Sequence, residues 1–281
     1  MTTSTPSSPT ASGVGSLPKV VLSSADGARA EIYLHGAQVT SWIPSGGSEA
    51  LFLSPKADFR PGLAIRGGVP VIFPQFAGMG PLPKHGFART SDWELLRSGA
   101  GQAVLRLRES ESSLSIWPHK FELEYTVMIS AARLELALKV SNTGLTPFEF
   151  TAALHSYLRV ADARQTTVWG LQGLWLTDSA NADREAIQKD EWVDFPGEVD
   201  RIYLKALKPL QVMQEERKIV LEQSGFSDVV VWNPGADKCL TLEDMLPDGY
   251  LEFVCVEAAV VEKPVRLGPG ASWTGTQKLI A

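Results

Sequence analysis

Cysteine is scarce in this sequence, because the chain of 281 residues contains only Cys239 and Cys255. The two residues do not form a CxxC pair, and their number is far below that of a disulfide framework. We therefore expect free thiols and a reducing compartment. The sequence also lacks the run of about eighteen apolar residues that a membrane-spanning helix needs, and it begins without the apolar core of a secretory signal. These absences predict a soluble protein of the cytoplasm.

Charged side chains are absent from residues 1–18, which are rich in Ser, Thr, Pro and Gly. Such a segment has too few apolar side chains to offset the entropy of folding. We expect a disordered tail over residues 1–18 and a single domain over residues 19–281. An organellar transit peptide is the alternative, but such peptides are typically rich in arginine and this segment has neither Arg nor Lys.

An excess of basic residues is also missing, since 26 Lys and Arg stand against 32 Asp and Glu, for a net charge of -6. Nucleic acids and anionic membranes need a broad positive surface, so neither is expected as a partner. The four histidines show no HxH or HExxH spacing, and neither GxxxxGK[ST] nor GxSxG occurs. The sequence therefore gives no support for a metal, a bound nucleoside triphosphate or an α/β-hydrolase, and we expect no cofactor.

What the sequence does contain is short segments of alternating apolar and polar residues, separated by turn residues. This period of two is typical of β-strands. The segments include ARAEIYLHG, QAVLRLRE, FELEYTVMIS, RLELALKVSN, FEFTAALHSYLRV, KIVLEQSG, DVVVWNP, YLEFVCVEAAV and SWTGTQKLIA. The two best helical windows, ADREAIQKDEW and CLTLEDML, are short. The pattern predicts an all-β chain that forms two packed sheets or a closed barrel, with few short helices.

The segment from Phe59 to Ser91 has no Asp or Glu but contains four basic residues, Arg60, Arg66, Lys84 and Arg89. It also holds six glycines and five prolines, so we expect ordered loops whose backbone can approach a ligand closely. Two guanidinium groups that converge on one point would form a phosphate site. The alternative is that these arginines pair with carboxylates from elsewhere in the chain.

Two strand residues, His155 and Glu257, are candidates for acid–base chemistry. Alternation places His155 on the more polar face of FEFTAALHSYLRV, and an imidazole has a reference pKa of about 6.5. Glu257 follows the apolar stretch YLEFVCV, where desolvation would raise its pKa toward the range of a general base at neutral pH. The alternatives are an ordinary hydrogen-bonded histidine and a strand-end glutamate that reaches solvent.

Several motifs together resemble the hexose-6-phosphate mutarotase branch of the aldose 1-epimerase family. They are IRGGVPVIFPQF, PKHGFAR, ALHSYL, EVDRIYL, VVVWNP and CVEAA, in this order along the chain. The resemblance implies a large antiparallel β-sandwich, the galactose-mutarotase-like supersandwich, with a sugar cleft on a concave sheet. It also implies an isomerase that interconverts the α and β anomers of a hexose 6-phosphate such as glucose 6-phosphate. The chain departs from the family pattern at Gly235, where the resemblance leads us to expect a large aromatic residue.

The resemblance implies a role for each matching residue. Glu257 matches the catalytic base and His155 the catalytic acid, which would be protonated at the start. His85 and Asp200 match substrate-orienting positions. Arg66 and Arg89 match the pair suited to the sugar phosphate, with Gln75 and Lys84 beside them. The small-molecule partner would thus be a sugar phosphate, bound by a protein that we take to be a monomer.

Two other functions stay open from the sequence. One is a mutarotase for unphosphorylated aldoses, although a neutral sugar gives no reason to collect Arg66 and Arg89. The other is a non-catalytic carbohydrate-binding protein, which would keep aromatic platforms but would not need a histidine and a glutamate together.

Overall fold

In the computed structural model, which describes residues 10–215 and 217–281, the chain folds almost entirely into strands. The first ten strands are β1 Ala11–Ser12, β2 Pro18–Ser23, β3 Arg29–Tyr33, β4 Gln38–Ile43, β5 Val71–Ile72, β6 Glu94–Gly99, β7 Gln102–Arg108, β8 Phe121–Ser130, β9 Arg133–Asn142 and β10 Phe148–Leu154. The rest are β11 Tyr157–Arg159, β12 Thr167–Trp169, β13 Trp175–Asp178, β14 Arg184–Ile187, β15 Trp192–Val193, β16 Val199–Tyr203, β17 Leu210–Met213, β18 Lys218–Ser224, β19 Asp228–Asn233, β20 Phe253–Leu267 and β21 Ser272–Ile280. The α-helices of the described residues are α1 Glu111–Ile116 and α2 Gly235–Cys239.

The strands form three antiparallel sheets. One has the order β1-β2-β3-β4, and the largest has the order β15-β12-β17-β18-β21-β9-β8-β7-β6. The remaining sheet, which we call the site sheet, has the order β14-β13-β16-β19-β20-β10-β5, with β11 also paired to β20. The predicted all-β sandwich with few short helices is confirmed.

Alternation along the strands explains how the sheets pack. In β8 every second residue from Phe121 to Ile129 is buried, and β9 shows the same pattern from Leu134 to Val140. These side chains join one apolar cluster with inward residues of the site sheet, such as Val231 and Val256. Burial of these side chains on both inner faces supplies the main stabilisation of the sandwich.

The site sheet also buries apolar side chains on its other face, where a second cluster includes Val230, Trp232 and Cys255. Because successive side chains of a strand point to opposite faces, this second face carries the residues that alternate with the main core. Loops cover it, and Phe76 and Met245 of those loops belong to the second cluster. The cover creates a partly enclosed space over the middle of the site sheet.

The structured part of the chain begins earlier than we predicted. Residues 1–9 of the predicted tail lie outside the described residues. Residues 10–18 are not a disordered tail: β1 pairs with β2, and Leu17 is buried against Tyr33 and Phe59. The boundary at residue 19 is therefore too late, because strand pairing and the burial of Leu17 hold a segment whose composition predicts disorder.

Both helical predictions are wrong in detail. ADREAIQKDEW contains the strand β14 and the first residue of β15, and each of these strands pairs with a neighbour at the edge of a large sheet. CLTLEDML contributes only the end of α2, after which the chain forms turns. Tertiary pairing overrides a weak helix propensity in such short segments. Helix α1, which the alternation did not indicate, begins with a capping box between Ser110 and Ser113.

None of the helices in the described ranges is long and apolar enough to cross a membrane.

Candidate active site

Strand register brings the two acid–base candidates together on the covered face of the site sheet. Leu154 pairs with Ala258 and Tyr157 with Cys255, so His155 lies directly opposite Glu257. Across β19, Glu257 is also the register partner of Val230. The neighbouring row on the same face consists of Asp200, Trp232, Cys255 and Tyr157. A histidine and a glutamate 102 positions apart in the chain thus become cross-strand neighbours.

The two side chains are buried and close. His155 Nδ1 lies 3.3 Å from Glu257 Oε1. Glu257 is 1 % exposed and His155 7 % exposed. Neither His155 Nδ1 nor Glu257 Oε2 makes a hydrogen bond within the described part of the chain. Buried polar atoms are rarely left without partners, so these two atoms are available to a bound molecule.

Burial favours the neutral form of both groups. It raises the pKa of Glu257 well above its ordinary value, and the nearby Asp200 carboxylate raises it further. Burial also lowers the pKa of His155 well below 6.5, with added contributions from His85, Arg89 and Arg66. The direction for Glu257 agrees with the sequence prediction. For His155 the sequence predicted a protonated ring, whereas the lowered pKa favours the neutral ring in the structure. Alternation alone does not reveal the burial that causes this.

A cavity of about 170 Å³ lies over this pair. It contains seven of the eight site residues predicted from the sequence, namely Arg66, Lys84, His85, Arg89, His155, Asp200 and Glu257. Phe76, Trp232 and Leu242 supply apolar walls. The segment from Phe59 to Ser91 and the two strands therefore contribute to a single site.

Gln75 is the exception, because its side chain does not line the cavity. Its amide nitrogen donates to the carbonyl oxygens of Ala77 and Leu82, and its carbonyl oxygen accepts from the Leu82 amide. These bonds use both ends of the side chain to hold the loop that carries His85. These contacts assign Gln75 a part in holding the loop, and its predicted substrate-binding role stays a prediction.

The two arginines differ in how far their charge is already neutralised. Arg66 Nε donates to both carboxylate oxygens of Asp244 at 3.1 Å, and Arg66 Nη1 donates to the Tyr157 hydroxyl at 3.1 Å. Arg89 donates from Nη2 to the Lys84 carbonyl, while its buried Nε has no partner among the described residues. The alternative of carboxylate pairing thus holds for Arg66 and fails for Arg89. Arg66, held by Asp244 and Tyr157, and Arg89, which has no carboxylate partner in the described ranges, are together suited to bind an anion with several oxygens.

Arg60, the fourth basic residue of the segment, lies outside the cavity. Its exposed guanidinium pairs with Asp58. Lys84 lines the cavity, where burial and the charges of Lys238 and Arg89 lower its pKa.

His85 is held neutral with a defined tautomer. Burial and the charges of Arg89, Lys84 and Arg66 lower its pKa to about 3. Its Nδ1 accepts a hydrogen bond from the Ala77 amide, which leaves the proton of the neutral ring on Nε2 as a donor. The loop that presents His85 is tight, because a Cβ at Gly86 would lie 2.2 Å from the Phe73 carbonyl oxygen. At Gly86 the absence of a side chain permits close contact between two backbone segments.

Lys238 and Asp244 of the site had no signal in the sequence, and for Tyr157 the only signal was the strand face that it shares with His155. Lys238 of α2 lines the cavity, and its charge opposes the burial effect that raises the pKa of Asp200. Asp244 and Tyr157 orient Arg66. Tyr157 also stacks on His155, with ring centroids 4.7 Å apart and an angle of 11° between the rings. Alternation did place Tyr157 on the face of His155, but nothing in the sequence connects either residue to Arg66 or Asp244.

Gly235, where we expected an aromatic residue, has a positive φ of 62° and does not line the cavity. A Cβ there would lie 2.5 Å from the backbone nitrogen of Glu198. In this chain the backbone of Gly197 and Glu198 packs closely against Gly235 and leaves no room for a side chain there.

Among the described residues, no group of three or more His, Cys, Asp and Glu side chains is arranged to hold a metal ion, and both cysteines are buried free thiols.

Comparisons with known proteins agree with this geometry. A family model described as "Aldose 1-epimerase" matches residues 18–279. A protein of Cenchrus ciliaris named "Putative glucose-6-phosphate 1-epimerase" is 39 % identical over 279 residues, which cover 94 % of this chain and 85 % of the relative. A protein of Escherichia coli with the same name is 36 % identical over 256 residues and covers 85 % of both chains.

Solved structures share the fold. One is described as "a putative mutarotase (YeaD) from Salmonella typhimurium" and aligns with a TM-score of 0.85 at 31 % identity, over 95 % of this chain and 92 % of the other. A "galactose mutarotase-like protein from Lactobacillus casei" aligns with a TM-score of 0.74 at 15 % identity, over 93 % of this chain and 99 % of the other. At that low identity the second likeness concerns the fold alone.

Proposed function

Because the chain belongs to the aldose 1-epimerase family, we propose that it interconverts the α and β anomers of a hexose 6-phosphate, with glucose 6-phosphate as the preferred substrate. The observation that carries this proposal is the cavity in which His155 and Glu257 face each other beside Arg66 and Arg89. The curated relatives named for glucose 6-phosphate also support this substrate.

The catalytic pair holds one proton that both side chains can carry. A protonated Glu257 with a neutral His155 contains the same number of protons as a carboxylate with an imidazolium. The two forms differ by one transfer across the 3.3 Å between Oε1 and Nδ1. Because the two side chains are this close, the neutral form can convert to the reactive ionic form by a proton transfer within the pair.

In the ionic form the two groups open the sugar ring. The Glu257 carboxylate removes the proton of the anomeric hydroxyl, the imidazolium of His155 donates a proton to the ring oxygen, and the bond between C1 and the ring oxygen breaks. Rotation about C1–C2 then presents the other face of the aldehyde. On reclosure His155 takes the proton back, Glu257 returns its proton to O1, and the anomeric configuration is inverted. Each such group typically contributes about 10²- to 10⁴-fold to the rate.

Binding of the phosphate group favours the ionic form. The positive charges of Arg89 and Arg66 contribute to the lowered pKa of His155. A bound phosphate brings a charge of about -1.5 to -2 next to them, which offsets their effect on the imidazole. The binding energy of the phosphate thus serves to place C1 and also to prepare the acid.

The unpartnered Nε of buried Arg89 favours a phosphorylated substrate over a free aldose. A buried guanidinium without a carboxylate is costly, and an anionic ligand removes that cost. The neutral His85 and the Asp200 carboxylate are suited to donate to and accept from sugar hydroxyls. Lys84 and Lys238 add positive charge at the same cavity.

Saturation-transfer NMR on the anomeric protons tests the proposal directly. We expect exchange between the two anomers of glucose 6-phosphate to be accelerated by catalytic amounts of the protein, with much weaker acceleration for glucose. Equal acceleration of both sugars would favour a mutarotase for free aldoses. Binding of glucose 6-phosphate without any acceleration would indicate a carbohydrate-binding protein and would refute the enzyme assignment.

We propose further that the protein acts as a cytoplasmic monomer. The cavity is lined by side chains of one chain, so the site needs no residue from a second copy. Two buried free thiols suit a reducing compartment.

A further inference from the structure

Gln277 is a buried polar residue in the apolar interior of the sandwich. It lies on β21 of the nine-stranded sheet, on the same inward face as Gly275 and Leu279, and it is 2 % exposed. Its register partner on β9 is the buried Leu136. Burial of an amide at such a position costs free energy unless both ends of the amide are hydrogen-bonded.

Both ends of the Gln277 amide bond to the site sheet. Gln277 Oε1 accepts a hydrogen bond of 2.6 Å from Ser156 Oγ, and Gln277 Nε2 donates to the Val256 carbonyl at 3.1 Å. The Val256 amide in turn donates to the Ser156 carbonyl at 3.2 Å. One side chain of the opposite sheet therefore joins Ser156 and Val256 in a closed ring of hydrogen bonds.

These two residues are the chain neighbours of the catalytic pair. Ser156 follows His155, and Val256 precedes Glu257. Since successive residues point to opposite faces, Ser156 and Val256 point toward the core while His155 and Glu257 point into the cavity. The ring of hydrogen bonds thus lies directly beneath the two reacting side chains, on the other side of the sheet.

The backbone at this point needs an additional support. The strand predicted as a single unit is interrupted between β10 and β11, and His155 and Ser156 lie in the gap. The His155 amide donates to the Pro70 carbonyl, outside the β20 ladder, and the Ser156 amide donates to the Leu154 carbonyl two residues back. Neither amide at this break donates to β20, so the bonds of Gln277 to Ser156 and Val256 add a connection between the two segments.

We propose that Gln277 is a positioning residue that sets the separation of His155 from Glu257 by bridging Ser156 and Val256. The inference rests on the proposed function, in which these two side chains carry the proton transfers. Gln277 touches neither the cavity nor the substrate, so it acts through the geometry of the pair. A displacement of about 1 Å at a catalytic pair can cost on the order of 10²-fold in rate.

The test compares Gln277→Leu and Ser156→Ala with Gln188→Leu. Gln188 is a matched control, because it is also buried and its amide also makes hydrogen bonds at both ends, to Tyr203 and to the carbonyls of Asp190 and Trp192. Thermal unfolding of each variant reports the loss of stability. Saturation transfer reports kcat and KM for glucose 6-phosphate.

We expect Gln277→Leu and Ser156→Ala each to lower kcat on the order of 10- to 100-fold with KM within about twofold. The kcat of the double variant should be close to that of the less active single variant, because both substitutions break the same bridge. Gln188→Leu should lose comparable stability and retain kcat. A kcat for Gln277→Leu equal to that of Gln188→Leu would overturn the proposal.

A second readout needs no substrate, so it separates this inference from the proposed function. The chain has four histidines, and ¹⁵N labelling of histidine resolves their ring nitrogens, with His155 assigned by its absence in His155→Gln. We expect the His155 ring signals to shift in Gln277→Leu and Ser156→Ala but not in Gln188→Leu. Unchanged His155 signals in both variants would refute the positioning role, even if the wild-type protein epimerises no sugar phosphate. If Gln277→Leu does not fold, the His155 signals of Ser156→Ala alone decide whether the positioning role holds.

Discussion

The Tyr157 hydroxyl accepts a hydrogen bond of 3.1 Å from Arg66 Nη1, while the Tyr157 ring stacks on His155. A single side chain therefore contacts both the acid–base group and one of the two arginines. This contact connects Arg66 to the pair of His155 and Glu257, and Asp244 holds the same guanidinium by a second contact.

Substitution of Tyr157 by Phe should keep the stacking on His155 and remove the hydrogen bond to Arg66. We expect KM for glucose 6-phosphate to rise by about three- to tenfold, the equivalent of one such bond, while kcat changes little. Steady-state saturation transfer measures both constants. An equal rise of KM for free glucose would contradict the role of Tyr157 in orienting Arg66.

Glu257→Gln should abolish most of the anomer exchange and leave binding measurable. The amide keeps the shape of the carboxylate but cannot take the proton of O1, so we expect a loss on the order of 10²- to 10⁴-fold in kcat. Calorimetric titration with glucose 6-phosphate reports the retained binding. Glu262→Gln, at an exposed position of the same strand, is the matched control and should behave as wild type. Near-normal exchange in Glu257→Gln would refute the base assignment.

Removal of Arg89 should weaken glucose 6-phosphate far more than glucose. Its buried Nε has no partner in the described residues, so its interaction with phosphate replaces no existing ion pair. We expect roughly a 10- to 100-fold rise of Kd for glucose 6-phosphate in Arg89→Ala, as for a charge-assisted hydrogen bond. Arg66→Ala should act in the same direction. Arg108→Ala, at an exposed position, is the control; similar losses for both sugars in the cavity variants would argue against a phosphate site.

The pH dependence of kcat/KM, which reports the acid and base of the protein without substrate, should show a broad plateau whose alkaline limb depends on Asp200. The pair holds its single proton between the lowered pKa of His155 and the raised pKa of Glu257. At a pH below the pKa of His155 the pair gains a second proton, and at a pH above the pKa of Glu257 it loses its single proton. The Asp200 carboxylate raises the pKa of Glu257 in addition to burial, so Asp200→Asn should move the alkaline limb to lower pH.

A pH–rate series on Asp200→Asn and on the exposed control Asp237→Asn measures this shift. The acid limb should stay in place, because Asp200 is not among the groups that shift the pKa of His155. An alkaline limb that remains at the wild-type pH would show that Asp200 does not act on Glu257.

Phosphite added to the reaction should activate the protein toward free glucose. If a dianion at Arg66 and Arg89 favours the ionic form of the catalytic pair, it need not be attached to the sugar. We expect phosphite to raise kcat/KM for glucose roughly tenfold, through binding energy supplied by a separate molecule. Sodium chloride at equal ionic strength and the Arg89→Ala variant serve as controls. Activation that persists in Arg89→Ala would place the effect outside this cavity.

The amino-acid sequence by itself determined the all-β class, because the period of two in segments such as FELEYTVMIS is a local property of consecutive residues. It also identified His155 and Glu257 as candidates, and the ordered motifs identified the family, which the comparisons confirm. Only the tertiary structure decided which residues share the cavity. It brought in Lys238, Asp244 and Tyr157, and it showed Gln75 bonded to the loop that carries His85.

The physical reason is that pairing between distant strands and the burial of side chains depend on residues far apart in the chain, so no local pattern predicts them. The register that sets His155 opposite Glu257 depends on the pairing of β10 and β11 with β20, and the desolvation that shifts both pKa values depends on the loops that cover them. The same holds for Gln277, an ordinary strand residue in the sequence that becomes significant only when the two large sheets pack together.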